Sequence, residues 1–183
     1  MSPRSCAPSG RCDNSLRRGE DMTTLFIDAD ACPVTKEALA VARSEGVPCV
    51  IAGNSTQNLE RSIRSTDART PHDGFWVRTL QVGVGSDSAD FAIVEELHPT
   101  DVVVTQDIGL ASIVLGRGAR AIGVRGHVYN PLTIDSMMFI RHEEKKVRRA
   151  GGRTGGSAAF VDEDRERFSR NLHQLIRDAR ATR

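Results

Sequence analysis

At 183 residues, with 39% hydrophobic side chains, the chain has the size of one globular domain with a proper core. A formal net charge of +1 excludes an overall field that would draw in a polyanion or a membrane surface, and no run approaches the ~18 apolar residues of a membrane span. Cys6, Cys12, Cys32 and Cys49 form neither a CxxC pair nor a secreted disulfide framework, which points to a reducing, cytoplasmic setting.

Residues 1–21 are rich in Ser, Arg and Gly, lack the apolar stretch of a signal peptide and read as a disordered leader, with Met22 placed to be an alternative start. "TLFID" (24–28) reads as a first strand. Pro33 suits the first helical position, Val34, Ala38 and Val41 recur at helical spacing, and Gly46 closes that helix. "VPCVIAG" (47–53) is a second strand. Residues 54–74 are polar and turn-rich, with a short helix expected around Leu59 and Ile63.

"FWVRTLQV" (75–82) is a third strand that enters a Gly-Ser-Asp turn at 85–87, and a helix is expected over 88–97. Strand "DVVVTQ" (101–106), an apolar helix 108–116 ended by Gly116 or Gly118, and strand "RAIGVR" follow. Strands alternating with helices predict a mainly parallel five-stranded sheet with helices on both faces, a Rossmann-like three-layer α/β/α arrangement. Beyond it, C-terminal helices make a basic extension over about 131–183. One helix opens near Asn130–Pro131 or Thr133. After the loop "GGRTGG" another starts near Asp162, with a narrow stripe of Phe168, Leu172 and Leu175 that should pack on the body or on the partner of a homodimer.

The informative feature is where the carboxylates fall. In an open α/β sheet, ligands bind outside the carboxyl ends of the strands, where the strand order switches. Asp28 ends the first strand and Asp107 follows the fourth, so the two meet across one crevice if those strands are neighbours. Asp87 and Asp90 stand at the start of the intervening helix. At ~100° per residue, Asp90 falls between Val94 and Leu97 on the face to be buried, while Glu95 and Glu96 point outward.

Gathering such charges without a cation would force protonation, and Mg²⁺ or Mn²⁺ resolves the conflict because these hard ions take carboxylate oxygens. Asp28, Asp90 and Asp107 are the expected metal ligands, and Asp30 and Cys32 have supporting positions. Each aspartate also has a plain structural reading: Asp107 as the cap of the helix at 108, and Asp87 or Ser88 as the cap of the next helix upstream.

Residues 22–140 hold nine Lys/Arg against fourteen Asp/Glu, whereas 141–183 hold twelve against seven. This asymmetry fits either a solvated helix or an RNA-binding tail, with Lys145, Lys146, Arg148, Arg149 and Arg153 as the expected contacts. "VGVGSD" lacks the third glycine of a dinucleotide fingerprint, "GGRTGG" lacks the ending of a P-loop, and "RHEEK" is not HExxH.

"DADACPV" (28–34), "SDSADFAIVEEL" (86–97), "VVVTQDIGLA" (102–111), "RGHVYNPLTID" (125–135) and "RTGG" followed by "DEDRERF" (162–168) occur here in one order. In these segments the chain resembles the YaiI/YqxD family of uncharacterised bacterial proteins, which is grouped by similarity with PIN-like nuclease domains. That resemblance implies a PIN-like fold and places Asp28, Asp87 or Asp90, and Thr105 with Asp107 at the catalytic positions. The activity implied is metal-assisted hydrolysis of phosphodiesters in single-stranded or structured RNA. The further glutamate usual in PIN-like nucleases has no convincing equivalent, Glu60 being a poor match.

Two other readings compete. A strand followed by Asp-x-Asp resembles the nucleophile motif of haloacid dehalogenase-like phosphohydrolases, although Cys32 occupies the place of the expected threonine or valine. The third is a non-catalytic RNA-binding protein with a structural ion.

Overall fold

The computed structural model describes residues 22–29, 32–54, 74–82, 88–152 and 158–182. Among these, five strands pair in parallel: β1 (Leu25–Asp28), β2 (Cys49–Asn54), β3 (Val77–Val82), β4 (Val102–Val104) and β5 (Arg120–Ile122). Their order is β3-β2-β1-β4-β5. The chain steps outward from β1 to β3, then returns to lay β4 against the other side of β1. The strand order therefore reverses between β1 and β4, which sets the crevice of an open α/β sheet at that point.

The helices are α1 (Thr35–Glu45), α2 (Ser88–Glu96), α3 (Ile108–Gly116), α4 (Ile134–Arg149) and α5 (Asp162–Ala181). Strand side chains alternate between faces. Leu25, Ile27, Ile51, Val102 and Val104 lie in one core with residues of α1 and α5. Phe26, Val50, Val103 and Ala121 lie in the other, with residues of α2, α3 and the first turn of α4. Covered on both sides, these strands read as continuous apolar runs such as "VVV" rather than as alternating ones.

The three-layer α/β arrangement expected from the sequence is thus observed, and the expected neighbours β1 and β4 pair with Phe26 opposite Val103. Differences are local. The fourth strand covers Val102–Val104 rather than 101–106, because Asp101 turns its buried carboxylate to the Thr24 and His98 amides, 2.8 Å each, and Thr105 begins the turn into α3. The fifth strand stops at Ile122 because Gly123 to Gly126 form a turn, closed by the Gly126 amide on the Gly123 carbonyl at 2.8 Å. Glu96 does not point to solvent: it is half-buried and paired with Arg78 of β3. The helix expected around Leu59 and Ile63 and the turn at 85–87 lie outside the described residues.

The stripe on α5 packs on the body. Phe168, Leu172 and Ile176 are fully buried in the same core as Ala38, Leu39 and Ala42 of α1. Ion pairs border that seam, Arg165 with Glu37 at 2.7 Å and Arg177 with Glu45 at 2.8 Å. Burial works to raise the Glu45 carboxyl pKa, but the bonds from Arg177 and His173 outweigh it and hold it below the ordinary value. No helix among the described residues is long and apolar enough to cross a membrane.

Phe168→Ala should cost about 3–5 kcal/mol of folding stability, the range for emptying a buried aromatic site, measured as a lower urea midpoint at unchanged slope.

Candidate functional site

Register alone brings two polar residues together at the reversal point. Phe26 and Val103 are partners on one face of the parallel pair, so the residues two further on, Asp28 and Thr105, share that face at the carboxyl end. Both are buried, Asp28 at 7% exposure and Thr105 at 1%. The Thr105 hydroxyl donates to Asp28 Oδ2 at 2.8 Å, and its oxygen accepts the Asp107 amide at 2.9 Å. Below, buried Tyr129 directs its hydroxyl to the Thr105 carbonyl at 3.4 Å. Burial raises the Tyr129 phenol pKa, which keeps it protonated and able to donate.

Asp107 is the cap of α3. Its Oδ1 accepts the Gly109 amide at 2.6 Å and the Leu110 amide at 3.4 Å. The structural reading of Asp107 is therefore correct as far as Oδ1 goes. The other oxygen, Oδ2, faces Arg141 of α4 at 3.6 Å, and the side chain is 44% exposed. One hydroxyl thus bridges the buried Asp28 carboxylate and the Asp107 main-chain amide, while the Asp107 carboxylate lies half exposed.

Asp90 is half-buried in the first turn of α2. It lines a 450 Å³ groove with Asp107, and Phe91, Val94, Ile113 and Met138 supply its apolar walls. Asp30 and Asp87 lie outside the described residues. Among the described residues no three His, Cys, Asp or Glu side chains cluster closely enough to form a metal site.

Cys32 is half-buried just before α1 and packs against the core. Burial raises its thiol pKa, against the opposing pull of the Val34 backbone and the Thr35 side chain. A neutral, half-buried thiol is a poor nucleophile, in keeping with a supporting position. Buried Cys49 is shifted upward as well, again by desolvation.

Of the expected nucleic-acid contacts, Lys145, Lys146, Arg148 and Arg149 all lie on the exposed second half of α4, and Arg153 is outside the described residues. Lys146 pairs with Glu143 at 2.7 Å and Arg148 with Glu144 at 3.8 Å. Lys145 instead joins Arg141 and His142 in lining a 320 Å³ pocket against Asp107 and Gly109. Arg141, His142, Tyr129 and Phe91 were not singled out from the sequence. A signal was present for the first two, which lie in the "RHEEK" string set aside for lacking zinc spacing.

A family model described as "Uncharacterized BCR, YaiI/YqxD family" matches residues 26–178. The UPF0178 protein of Staphylococcus saprophyticus is 35% identical over 155 residues, covering 85% of this chain and 94% of that protein. The UPF0178 protein of Parvibaculum lavamentivorans is 36% identical over 159 residues, covering 87% and 97%. That of Clostridium tetani is 34% identical over 156 residues, covering 85% and 98%. No solved structure matches the chain.

Thr105→Val keeps the shape of the side chain but removes the donor to Asp28 and the acceptor for the Asp107 amide. It should cost about 1–3 kcal/mol in chemical denaturation, while Thr105→Ser stays close to wild type. In the native state at pH 7, peptide mapping after iodoacetamide treatment should find Cys32 and Cys49 alkylated far more slowly than in urea, since both thiols are held protonated.

Proposed function

We propose that this chain, which belongs to the YaiI/YqxD family, is a divalent-metal-dependent nuclease that hydrolyses phosphodiester bonds of RNA at the rim shared by Asp28 and Asp107. The observation that carries the reading is the Asp28–Thr105–Asp107 linkage at the point where the strand order reverses. The likeness of the same three positions to those of PIN-like nucleases supports it.

The donor set suits Mg²⁺ or Mn²⁺, because Asp28, Thr105 and Asp107 offer oxygen ligands to a hard ion. Such ions are commonly held by one or two protein carboxylates, with water and substrate phosphate completing the shell. Two carboxylates are therefore enough for the fit, and a cluster of three is not required. Asp28 and Asp107 would hold the ion, with Asp90 on the wall of the adjoining groove. When bound, the ion would lower the pKa of an attacking water and offset charge developing on the phosphoryl oxygens.

The chain's own contribution is preorganisation. Thr105 fixes the orientation of Asp28, so that carboxylate does not reorient on ligation. The α3 amides hold Asp107 by Oδ1 and leave Oδ2 on the open side, toward the cations of α4.

The haloacid dehalogenase-like alternative is not favoured. Its motif departs at Cys32, which packs into the core, and neither the lysine motif nor the Asp-Asp pair of that superfamily is evident.

Asp28→Asn and Asp107→Asn should each lower Mn²⁺-dependent cleavage of a fluorescent RNA at least about 100-fold while leaving the far-ultraviolet circular dichroism unchanged. Titration calorimetry should show weaker Mn²⁺ binding to Asp28→Asn. Equal cleavage in excess EDTA would sink the proposal, and RNA retention without turnover in either metal would replace it with the non-catalytic reading.

A further inference from the structure

Charge on α4 is divided unevenly. Lys146 is spent on Glu143, one turn back on the same helix. Arg141, His142 and Lys145 instead line the 320 Å³ pocket whose opposite wall is the amino end of α3, at Asp107, Ile108 and Gly109. Positions 141 and 145 are one helical turn apart and so lie on one face. The Arg141 guanidinium stands 3.6 Å from Asp107 Oδ2, beyond hydrogen-bond length, and both groups are about half exposed. It is a loose pair, and its cation is available to an anion entering the pocket.

We propose that Arg141, His142 and Lys145 form a phosphate subsite for a nucleic-acid strand, beside the carboxylates. The inference rests on the nuclease reading and adds to it the side chains that hold the substrate. A pocket with two cations and an imidazole on one wall matches a phosphodiester, whose single negative charge is shared by two acceptor oxygens.

Its surroundings favour a strand over a free nucleotide. On one side Arg141 also lines a second depression, of 400 Å³, whose other charges, Arg148 and Glu144, are paired with each other at 3.8 Å. On the other, Asp107, Gly109 and Met138 are shared with the groove that holds Phe91, Val94 and Ile113. That groove offers an exposed aromatic ring, Phe91 at 68%, on which an unpaired base can stack. A phosphate in the pocket and its adjoining base in the groove would bring the backbone past Asp107.

The test is binding of a fluorescein-labelled single-stranded oligouridylate in EDTA, where no cleavage occurs, by anisotropy across a salt series. Arg141→Ala/Lys145→Ala should weaken binding roughly tenfold at 0.1 M salt and flatten the log–log salt dependence by about 0.7 or more, the slope of one single-strand phosphate contact. Lys36→Ala, at an exposed lysine of α1, should bind within about twofold of wild type. Arg141→Lys should recover part of the loss, because it restores charge without the fork. Each variant is checked by thermal melting, and all the substituted side chains are exposed.

Unchanged affinity in the double variant, or an equal loss in Lys36→Ala, would overturn the subsite. Displacement of the oligomer by uridine monophosphate at equal concentration would overturn the assignment to a strand. Because binding is read without metal, its failure is separable from failure of Mn²⁺-dependent cleavage.

Discussion

The carboxyl end of the central strand pair depends on one hydroxyl. Thr105 donates to a buried carboxylate on β1 and accepts the amide that begins the turn into α3. An uncompensated buried charge costs several kcal/mol, so Asp28 is tolerable there only because donors meet it. A hydroxyl is suited to the place because it gives one hydrogen bond and receives another at the same atom. Both the geometry of the cap at Asp107 and the orientation of Asp28 follow from that one atom.

The opposite end of the same two strands is fixed in a complementary way. Asp101, 1% exposed, precedes β4 and takes the Thr24 amide at the entry to β1 along with the His98 amide. The shortest central strand, Val102–Val104, is thereby pinned at both ends by polar side chains, although the strand itself is apolar. The two buried aspartates differ in consequence. Asp101 has both oxygens satisfied by backbone at the amino end of the strand pair, whereas Asp28 takes a side-chain hydroxyl at the carboxyl end, where the strand order switches. Burial and charge do not distinguish the two; position relative to the switch in strand order does.

Much of this could be read from the residues. The alternation of β-branched runs with helical spacing gives the parallel sheet, and the placement of Asp28 and Asp107 after apolar strands puts them on the same rim. What escaped reading has physical causes. Strand ends depend on where a neighbour stops pairing, and β1 and β5 pair with β4 only along Val102–Val104, so "DVVVTQ" shortened at both ends. Glu96 looked solvent-facing on a wheel, but its partner Arg78 comes from a strand distant in the chain. Arg141 and Lys145 line a pocket with Asp107 only because α4 packs against α3, a tertiary fact that no local pattern encodes. Asp107 caps α3 through Oδ1, as the plain structural reading had it, and its Oδ2 lies on the open side toward Arg141.

Gly126 has a φ of +79°, and a methyl group there would meet the Phe168 amide nitrogen at 2.7 Å, so the turn after β5 lies flush on the backbone of α5. Asn171 and Arg167 bond to the carbonyls of the same turn. The sheet is spelled out by Ile122, yet the helix that covers one of its faces begins at Asp162. During synthesis the side chains of Leu25, Ile27, Val102 and Val104 therefore wait, covered on that side by α1 alone, while the intervening segment leaves the ribosome. A nascent chain in that interval is an obvious client for chaperones, and premature termination anywhere in the interval leaves a sticky sheet rather than a smaller stable protein.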